Sequence, residues 1–171
     1  MKTDGKLFTT SSAEETRMLG EKMSGLVLPG EFVLLSGPLG AGKTEFVRGF
    51  ARGYGWEDVR SPSFTIVNEY HSEPPIIHAD FYRIERASSE EFSLEEYAAE
   101  GCVVIIEWAE LWESPDDLPA WEVRFTLFGE GQHGQDDHKR HIEIFRRGKG
   151  PSFALEFGSS VPDISEKRME K

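Results

Sequence analysis

The sequence predicts an α/β fold, a three-layer sandwich around a central, largely parallel sheet, with an antiparallel hairpin near the C-terminus. Three observations predict it. An apolar run at 32–35 is followed by a glycine-rich loop and then by a helical pattern. A second continuous apolar run, 102–106, is typical of strands buried on both faces of a parallel sheet. Two late segments, 121–128 and 141–145, alternate apolar and polar residues as paired antiparallel strands do.

Capping and periodicity predict the first helices. Ser12 and Glu15 have the spacing of a capping box, and apolar residues follow at helical intervals, so a helix is expected over 13–25. Apolar residues recur in the same way after the glycine-rich loop. They predict a second helix that ends near Gly53 and Gly55.

The middle of the chain predicts a hairpin and a helix. Residues 64–67 and 76–77 have strand composition, and Pro74–Pro75 between them predicts a turn. Residues 89–100 are expected to form one helix. The polar segment 129–140 is expected to be a mobile loop between the two late strands.

Length and composition predict one globular domain over 1–147, followed by a partly flexible extension at 148–171. A chain of 171 residues with 38% apolar residues can build a core without disulfides. The single cysteine, Cys102, excludes an intramolecular disulfide and a cysteine zinc cage. No segment has the pattern of a signal peptide or of a membrane span. The sequence therefore predicts a soluble, cytoplasmic protein with no membrane partner.

The negative charge is concentrated in one segment. The net charge is −12, and residues 85–122 hold 12 acidic residues against a single basic one, Arg86. This balance argues against nucleic acid binding by charge neutralisation. Two interpretations of the segment stay open, a solvated face and an acidic docking surface for a basic partner.

The glycine-rich loop carries the strongest functional signal. Residues 37–44 match the pattern G-x-x-x-x-G-K-[ST] in full, between an apolar strand and a helix. In such a loop backbone N–H groups surround phosphate, Lys43 reaches the β- and γ-phosphates and the Thr44 hydroxyl ligates Mg²⁺. The motif makes the expected sandwich P-loop NTPase-like. The predicted nucleotide-binding residues here are Pro38, Leu39, Gly40, Ala41, Gly42, Lys43, Thr44 and Glu45.

Two carboxylates are candidates for the metal and the attacking water. Asp80 and Glu107 each end an apolar strand, and ligands of open α/β sheets bind at the carboxyl ends of strands. With Lys43 they form the predicted catalytic set, and with Thr44 the predicted Mg²⁺ ligands; which carboxylate contacts the metal directly stays open. The guanine-reading pattern N-K-x-D is absent, which favours ATP over GTP.

Four segments, in this order and spacing, resemble the TsaE (YjeE) family of bacterial proteins. They are the loop at 37–44, Ser-Pro-Ser-Phe at 61–64, His-Ala-Asp-Phe-Tyr-Arg at 78–83 and Ile-Glu-Trp-Ala-Glu at 106–110. The resemblance implies a small ATPase that needs ATP and Mg²⁺ and serves the threonylcarbamoyladenosine modification of tRNA. It implies TsaD and TsaB as protein partners, with tRNA reached only through their complex. It also implies that Ser63 and Thr65 sense the γ-phosphate and that Trp108 packs beside the site.

The sequence departs from the family pattern at two loop positions. Pro38 stands where an acidic residue is usual, and Glu45 places a carboxylate in the first helical turn, where it opposes bound phosphate. Two other functions stay open. One is a small metabolite kinase, although 85–122 lacks the arginines of a phosphate-closing lid. The other is a nucleotide-gated binding module with little catalysis.

Overall fold

The structure of the chain is a computed structural model that describes residues 5–62, 65–84, 87–127 and 139–148, with the backbone alone at 87–90. Its helices are α1 (Ala13–Ser24), α2 (Lys43–Gly53), α3 (Ser89–Phe92), α4 (Leu94–Ala99) and a 3₁₀ helix (Ala109–Leu111). Its strands are β1 (Gly5–Thr10), β2 (Phe32–Ser36), β3 (Val67–Tyr70), β4 (Ile76–Asp80), β5 (Ala87–Ser88), β6 (Val103–Glu107), β7 (Trp112–Glu113), β8 (Ala120–Leu127) and β9 (Arg140–Arg147).

The main sheet has the strand order β1-β9-β8-β2-β6-β4-β3. Its central strands β8, β2, β6 and β4 are parallel. Strands β9 and β1 extend it antiparallel on one side, and β3 does so on the other. The predicted α/β fold with a largely parallel sheet and a late antiparallel hairpin is therefore confirmed. The hairpin is formed by β8 and β9.

Apolar side chains cover both faces of the sheet and make three layers. On one face α1 and α2 contribute fully buried residues such as Met23 and Phe50. On the other, α4 and the segment around β7 contribute Leu94 and Trp112. Strand β2 lies between the two cores, and four of its five residues are buried. This explains why it is a continuous apolar run rather than an alternating one.

Helices α1 and α2 cross with their backbones in contact. A Cβ atom on Gly49 would lie 1.8 Å from the carbonyl oxygen of Arg17, and one on Gly20 would lie 2.1 Å from that of Phe46. The N-terminus of α1 is capped by Ser12, which accepts a hydrogen bond from the Glu15 amide at 3.1 Å. Because α2 begins at Lys43, the close packing of α2 against α1 fixes the position of the glycine-rich loop relative to α1.

The bounds of the strand predicted over 64–67 are wrong. Residues 63 and 64 lie outside the described residues, and the strand β3 begins only at Val67. Ile66 has φ +67°, a left-handed conformation that a strand cannot contain. Its amide donates to the Pro62 carbonyl oxygen at 2.8 Å and closes a turn instead.

One other prediction needs correction, one strand was missed, and two predictions lie outside the described residues. The helix expected over 89–100 is split into α3 and α4 at Ser93, whose φ is +51°. The N-terminal strand β1 was not predicted. The expected mobile loop, 129–140, and the extension beyond residue 148 lie almost entirely outside the described residues.

The acidic segment covers the face of the sheet opposite α1 and α2. Its described side chains at Glu91, Glu96, Glu110, Asp116 and Asp117 are exposed. Across the described ranges, no helix combines the length and the apolar character needed to cross a membrane.

Candidate functional site

A cleft of about 590 Å³ lies at the carboxyl ends of the parallel strands β2, β4 and β6. This is the edge at which open α/β sheets bind their ligands. The glycine-rich loop forms one wall, and the turns after β4 and β6 form the other. Its lining residues are Leu39, Gly40, Ala41, Gly42, Lys43, Thr44, Glu45, Ser61, Pro62, Ile66, Asp80, Tyr82, Arg83, Ile84, Glu107 and Trp108.

The loop at 37–44 requires glycine at two points in particular. Gly37 has φ +135°, and a Cβ there would lie 2.5 Å from the Phe125 carbonyl oxygen. Gly42 has φ +99° and is the N-cap of α2 without a side-chain cap. The first amides of α2 are thus left for another acceptor, and the helix N-terminus is partially positive. This end of the cleft favours an anion.

Lys43 is held inside the loop by neutral groups. Its Nζ donates to the carbonyl oxygens of Gly37 at 2.6 Å and Pro38 at 2.9 Å. It also lies 4.0 Å from the centre of the Trp108 ring. Burial lowers the pKa of the Lys43 ammonium, and the negative charge of Glu107 opposes that shift most strongly. Within the described part of the chain no carboxylate is in contact with this buried ammonium, so it is poised to bind an anion.

Thr44 and Glu107 form the centre of the site. The Thr44 hydroxyl donates to both carboxylate oxygens of Glu107, each at 3.0 Å. Only 3% of Glu107 is exposed, although its side chain reaches the cleft. The first turn of α2 and the last residue of β6 are thereby joined at one point.

Asp80 lies beside Glu107 as its register partner across β4 and β6. The two strand-end carboxylates singled out in the sequence therefore lie side by side at one edge of the sheet. Burial raises the pKa of Asp80, the amide of Tyr82 lowers it by donating to Oδ1 at 2.9 Å, and the Glu107 charge raises it further. Asp80 is only half-buried and faces the cleft.

These donors have the chemistry of a magnesium site completed by a ligand. They are one hydroxyl and two carboxylates, which are hard oxygen donors. The described residues contain no cluster of three or more His, Cys, Asp or Glu that would hold a metal by itself. Mg²⁺ is usually bound by one or two carboxylates together with substrate phosphates and water. Thr44, Glu107 and Asp80 fit that pattern.

Trp108 lines the cleft next to Lys43. Its φ is +58°, which is uncommon for a residue other than glycine and stores local strain. Its ring lies 4.8 Å from that of Tyr82, which is half exposed. The aromatic pair of Trp108 and Tyr82 therefore borders the end of the cleft that holds Lys43.

The two departures in the loop have local explanations. Glu45 accepts hydrogen bonds from Arg17 Nε at 2.6 Å and from Arg48. Its charge is compensated by both arginines, so it opposes an anion less than its position in the sequence suggests. Pro38 is exposed and contributes its carbonyl oxygen, which accepts from the Ala41 amide at 3.2 Å. The described contacts of Pro38 therefore use its carbonyl oxygen.

The cleft does not include every predicted binding residue. Thr65 is exposed, and its hydroxyl donates to the Asn68 side chain at 2.6 Å. Neither Thr65 nor Pro38 is among the lining residues, and Ser63 lies outside the described residues. Ser61 and Pro62 do line the cleft, so part of the segment at 61–65 reaches it.

A second cleft of about 390 Å³ lies on the other side of the loop. It shares Gly40, Gly42 and Glu45 with the first cleft, and sequence reasoning did not find it. Its remaining walls are the start of α1, at 11–16, and Arg140 of β9. The capping box predicted where α1 starts, but nothing in the sequence indicated that this start lies beside the loop.

The fold and cleft define a class: an open-sheet α/β protein whose glycine-rich loop presents an anion site beside two strand-end carboxylates. The chain belongs to the TsaE family. Residues 10–142 match the model of the family described as "Threonylcarbamoyl adenosine biosynthesis protein TsaE". The resemblance seen in the four sequence motifs is therefore confirmed.

Curated relatives and a solved structure agree with this assignment. The chain is 42% identical over 120 residues to the tRNA threonylcarbamoyladenosine biosynthesis protein TsaE of Bacillus subtilis, covering 69% of this chain and 74% of that protein. It is 34% identical over 140 residues to the TsaE protein of Aquifex aeolicus, covering 80% and 92%. The crystal structure of Bacillus subtilis YdiB is similar, with a TM-score of 0.64 and 29% identity over 86% of this chain and 89% of that one.

Proposed function

We propose that the chain is an ATPase of tRNA threonylcarbamoyladenosine biosynthesis, which binds ATP with Mg²⁺ and hydrolyses it to drive or reset a TsaD–TsaB complex. The family supplies the pathway. The observation that best supports nucleotide chemistry is the cleft in which Lys43, Thr44, Asp80 and Glu107 meet. The same four residues follow from a phosphate-loop motif and two strand ends, so sequence and geometry support one site.

In this proposal the phosphates occupy the cleft beside the first turn of α2. The loop amides and Lys43 bind the phosphate oxygens, and Lys43 exchanges its carbonyl partners for them. Thr44 and Glu107 would hold Mg²⁺, which neutralises phosphate charge when bound. Asp80, half-exposed on the neighbouring strand, is the better placed of the two carboxylates to orient the attacking water. The second cleft, of about 390 Å³, adjoins the same loop. We assign the base and ribose to it, because it is within reach of phosphates bound at the loop.

Hydrolysis by the isolated chain is expected to be slow. Phosphoryl transfer depends on positioning and on positive charge at the transferred group, and the sequence offers no obvious arginine finger. Arg83 is the exception to examine, since it lines the cleft. If a partner supplies the missing cation, we expect TsaD–TsaB to accelerate hydrolysis by roughly 10³- to 10⁵-fold.

The proposal is tested by measuring phosphate release with Mg·ATP, with and without TsaD–TsaB. Slow release that the partners accelerate is expected for the wild type, and none for Lys43→Ala. Equal rates with and without partners would contradict stimulation. Arg83→Ala separates the two sources of positive charge. If it loses only the unstimulated rate, Arg83 acts in cis and the partner still contributes.

ATP binding without turnover favours the alternative of a nucleotide-gated binding module. It would be supported if a variant that binds ATP but cannot hydrolyse it restored full modification in cells that lack the protein. Asp80→Asn is suitable, because Thr44, Lys43 and Glu107 remain in place. Loss of modification in that strain would support hydrolysis as the useful step.

The acidic face is the proposed contact for a basic surface of the partner complex. Neutralising Glu90, Glu91, Glu95 and Glu96 together should weaken partner binding in a salt-dependent way and leave ATP affinity unchanged. A control variant neutralises Glu57 and Glu69, which are exposed and lie outside the acidic segment. Unchanged partner affinity in the four-residue variant would indicate that the segment is a solvated face and does not dock the partner.

A further inference from the structure

Behind Glu107, buried hydrogen bonds run through three strands. Nε2 of His78 donates to Oε1 of Glu107 at 2.9 Å. The Tyr70 hydroxyl lies 2.9 Å from Nδ1 of the same ring and 2.8 Å from the Arg60 carbonyl oxygen. With Nε2 protonated both are acceptors, so the single Tyr70 proton is donated to one of them at a time, and donation to Nδ1 is the bond that links Tyr70 to His78. His78 is fully buried, and only 4% of Tyr70 is exposed. His78 lines neither cleft, so any effect it has on a ligand must pass through Glu107.

The strand register explains how these side chains meet. Across the antiparallel pair β3 and β4, His78 is opposite Asn68, so Tyr70 is its diagonal neighbour. Across the parallel pair β4 and β6, His78 is opposite Ile105, and Glu107 is two residues further along. Diagonal neighbours on one face of a sheet lie within reach of aromatic and long side chains. The three residues therefore form a line toward the cleft.

Thr44 alone does not fix the orientation of the Glu107 carboxylate. The Thr44 hydroxyl oxygen lies 3.0 Å from both Oε1 and Oε2, so its single proton is shared between them. His78 bonds only Oε1 and so distinguishes the two oxygens. A glutamate side chain loses rotamer freedom when it is ordered, and a hydrogen bond that already holds it in the free protein lowers that cost when a ligand binds.

We propose that His78 is a positioning residue that fixes Glu107 for Mg²⁺ and phosphate, and that Tyr70 fixes His78 in turn. The proposal rests on the ATPase function proposed above. His78 itself touches neither metal nor nucleotide. Groups that hydrogen-bond a metal ligand without contacting the metal commonly contribute about 10- to 100-fold in metal affinity or activity.

Two substitutions at His78 separate its two bonds. The side-chain amide nitrogen of glutamine lies near the place of Nε2, so His78→Gln keeps a donor for Glu107 and loses the contact with Tyr70. The amide of asparagine lies near the place of Nδ1, so His78→Asn keeps Tyr70 and loses Glu107. The two variants are a matched pair, since both replace the ring with a neutral amide.

The readout is the affinity for ADP, measured by calorimetry with Mg²⁺ and with EDTA. For His78→Asn we expect the gain in affinity due to Mg²⁺ to fall about 10- to 100-fold while the affinity in EDTA stays near that of the wild type. We expect His78→Gln to keep most of the gain. The kcat for ATP should fall in the same order, and the KM for Mg·ATP should rise with the loss of affinity, since KM approaches the dissociation constant when hydrolysis is slow.

Equal magnesium gains in His78→Asn and the wild type would overturn the proposal. So would losses of affinity that are equal with Mg²⁺ and with EDTA, because they indicate a structural defect alone. If His78→Asn does not fold, Tyr70→Phe takes its place, since it keeps the buried rings and removes only the hydroxyl. A reduced magnesium gain in Tyr70→Phe supports the proposal, and a wild-type gain overturns it. A wild type that binds no ADP would overturn the ATPase function as well, whereas a wild type that binds it leaves that function standing.

Discussion

The contact between α1 and α2 gives a prediction that links the fold to the site, the substitution Gly49→Ala. The added Cβ would lie 1.8 Å from the Arg17 carbonyl oxygen and 2.5 Å from its Cα. Ordinary Cβ contacts begin at 3.4 Å, so the helices would have to separate by about 1.6 Å. Both atoms belong to the backbone of a packed helix and cannot rotate away.

The expected loss of stability is about 2 kcal/mol. Overpacking of a tight core costs about 1–3 kcal/mol, and backbone contact at this distance belongs at or above the upper end. Alanine offsets about 1 kcal/mol of this, because its helix propensity exceeds that of glycine. For a domain of this size, such a loss lowers Tm by roughly 4–8 °C.

The same displacement should weaken nucleotide binding. Lys43 and Thr44 lie in the first turn of α2 and move with it, and a misplacement of about 1 Å can cost on the order of 100-fold in function. We expect at least a tenfold loss of ADP affinity, measured by calorimetry at a temperature where the variant is folded. Gly25→Ala is the control, since its nearest contact would be 3.6 Å away and its φ of −69° suits alanine. A Tm of Gly49→Ala equal to that of wild type would refute the packing argument, and a lower Tm with unchanged ADP affinity would refute its link to the site.

Three further predictions concern charge. Arg17→Ala should lower ADP affinity roughly two- to fivefold, because Glu45 keeps only one arginine near the helix N-terminus, and Glu45→Gln should restore it; no change in either titration contradicts the compensation. Burial raises the pKa of Tyr54 from 10.0 to about 12. The contribution of the neutral, buried hydroxyl to the free energy of unfolding is therefore complete below pH 10 and is lost as the pH rises through 12. Tyr54→Phe should lack that decline in denaturant unfolding, and an identical decline would assign it to other groups. Arg146→Met should cost about 3 kcal/mol, since it leaves the Glu31 carboxylate buried without its cation; a thermal melt that matches wild type would argue against it.

The parts of the fold and site that depend on local sequence could be predicted. Strand β2 is apolar throughout because both of its faces are covered, and the loop after it carries its motif in eight consecutive residues. The approach of Asp80 to Glu107 followed from a rule about strand ends in parallel sheets. Each of these predictions requires the sequence of only one segment, or the knowledge that two strands run in the same direction.

The parts that depend on register and packing could not. Placing Tyr70 behind His78 requires the pairing of β3 with β4, and the sequence placed that strand three residues too early. The compensation of Glu45 requires the crossing of α1 and α2. The break at Ser93 lies in a segment without glycine or proline, so no local signal marks it. Strand β1 is half-exposed at the edge of the sheet, and its polar residues resemble those of a loop.

The central claim is that the cleft beside Lys43 and Glu107 binds ATP through Mg²⁺. It is tested most directly by calorimetric titration of the chain with ATP in the presence of Mg²⁺, repeated with EDTA and with Lys43→Ala. The account predicts one site per chain, tighter binding with Mg²⁺ than with EDTA, and a loss of binding in Lys43→Ala that leaves its Tm near wild type. Binding of equal strength in Lys43→Ala, or no binding by the wild type, would contradict it.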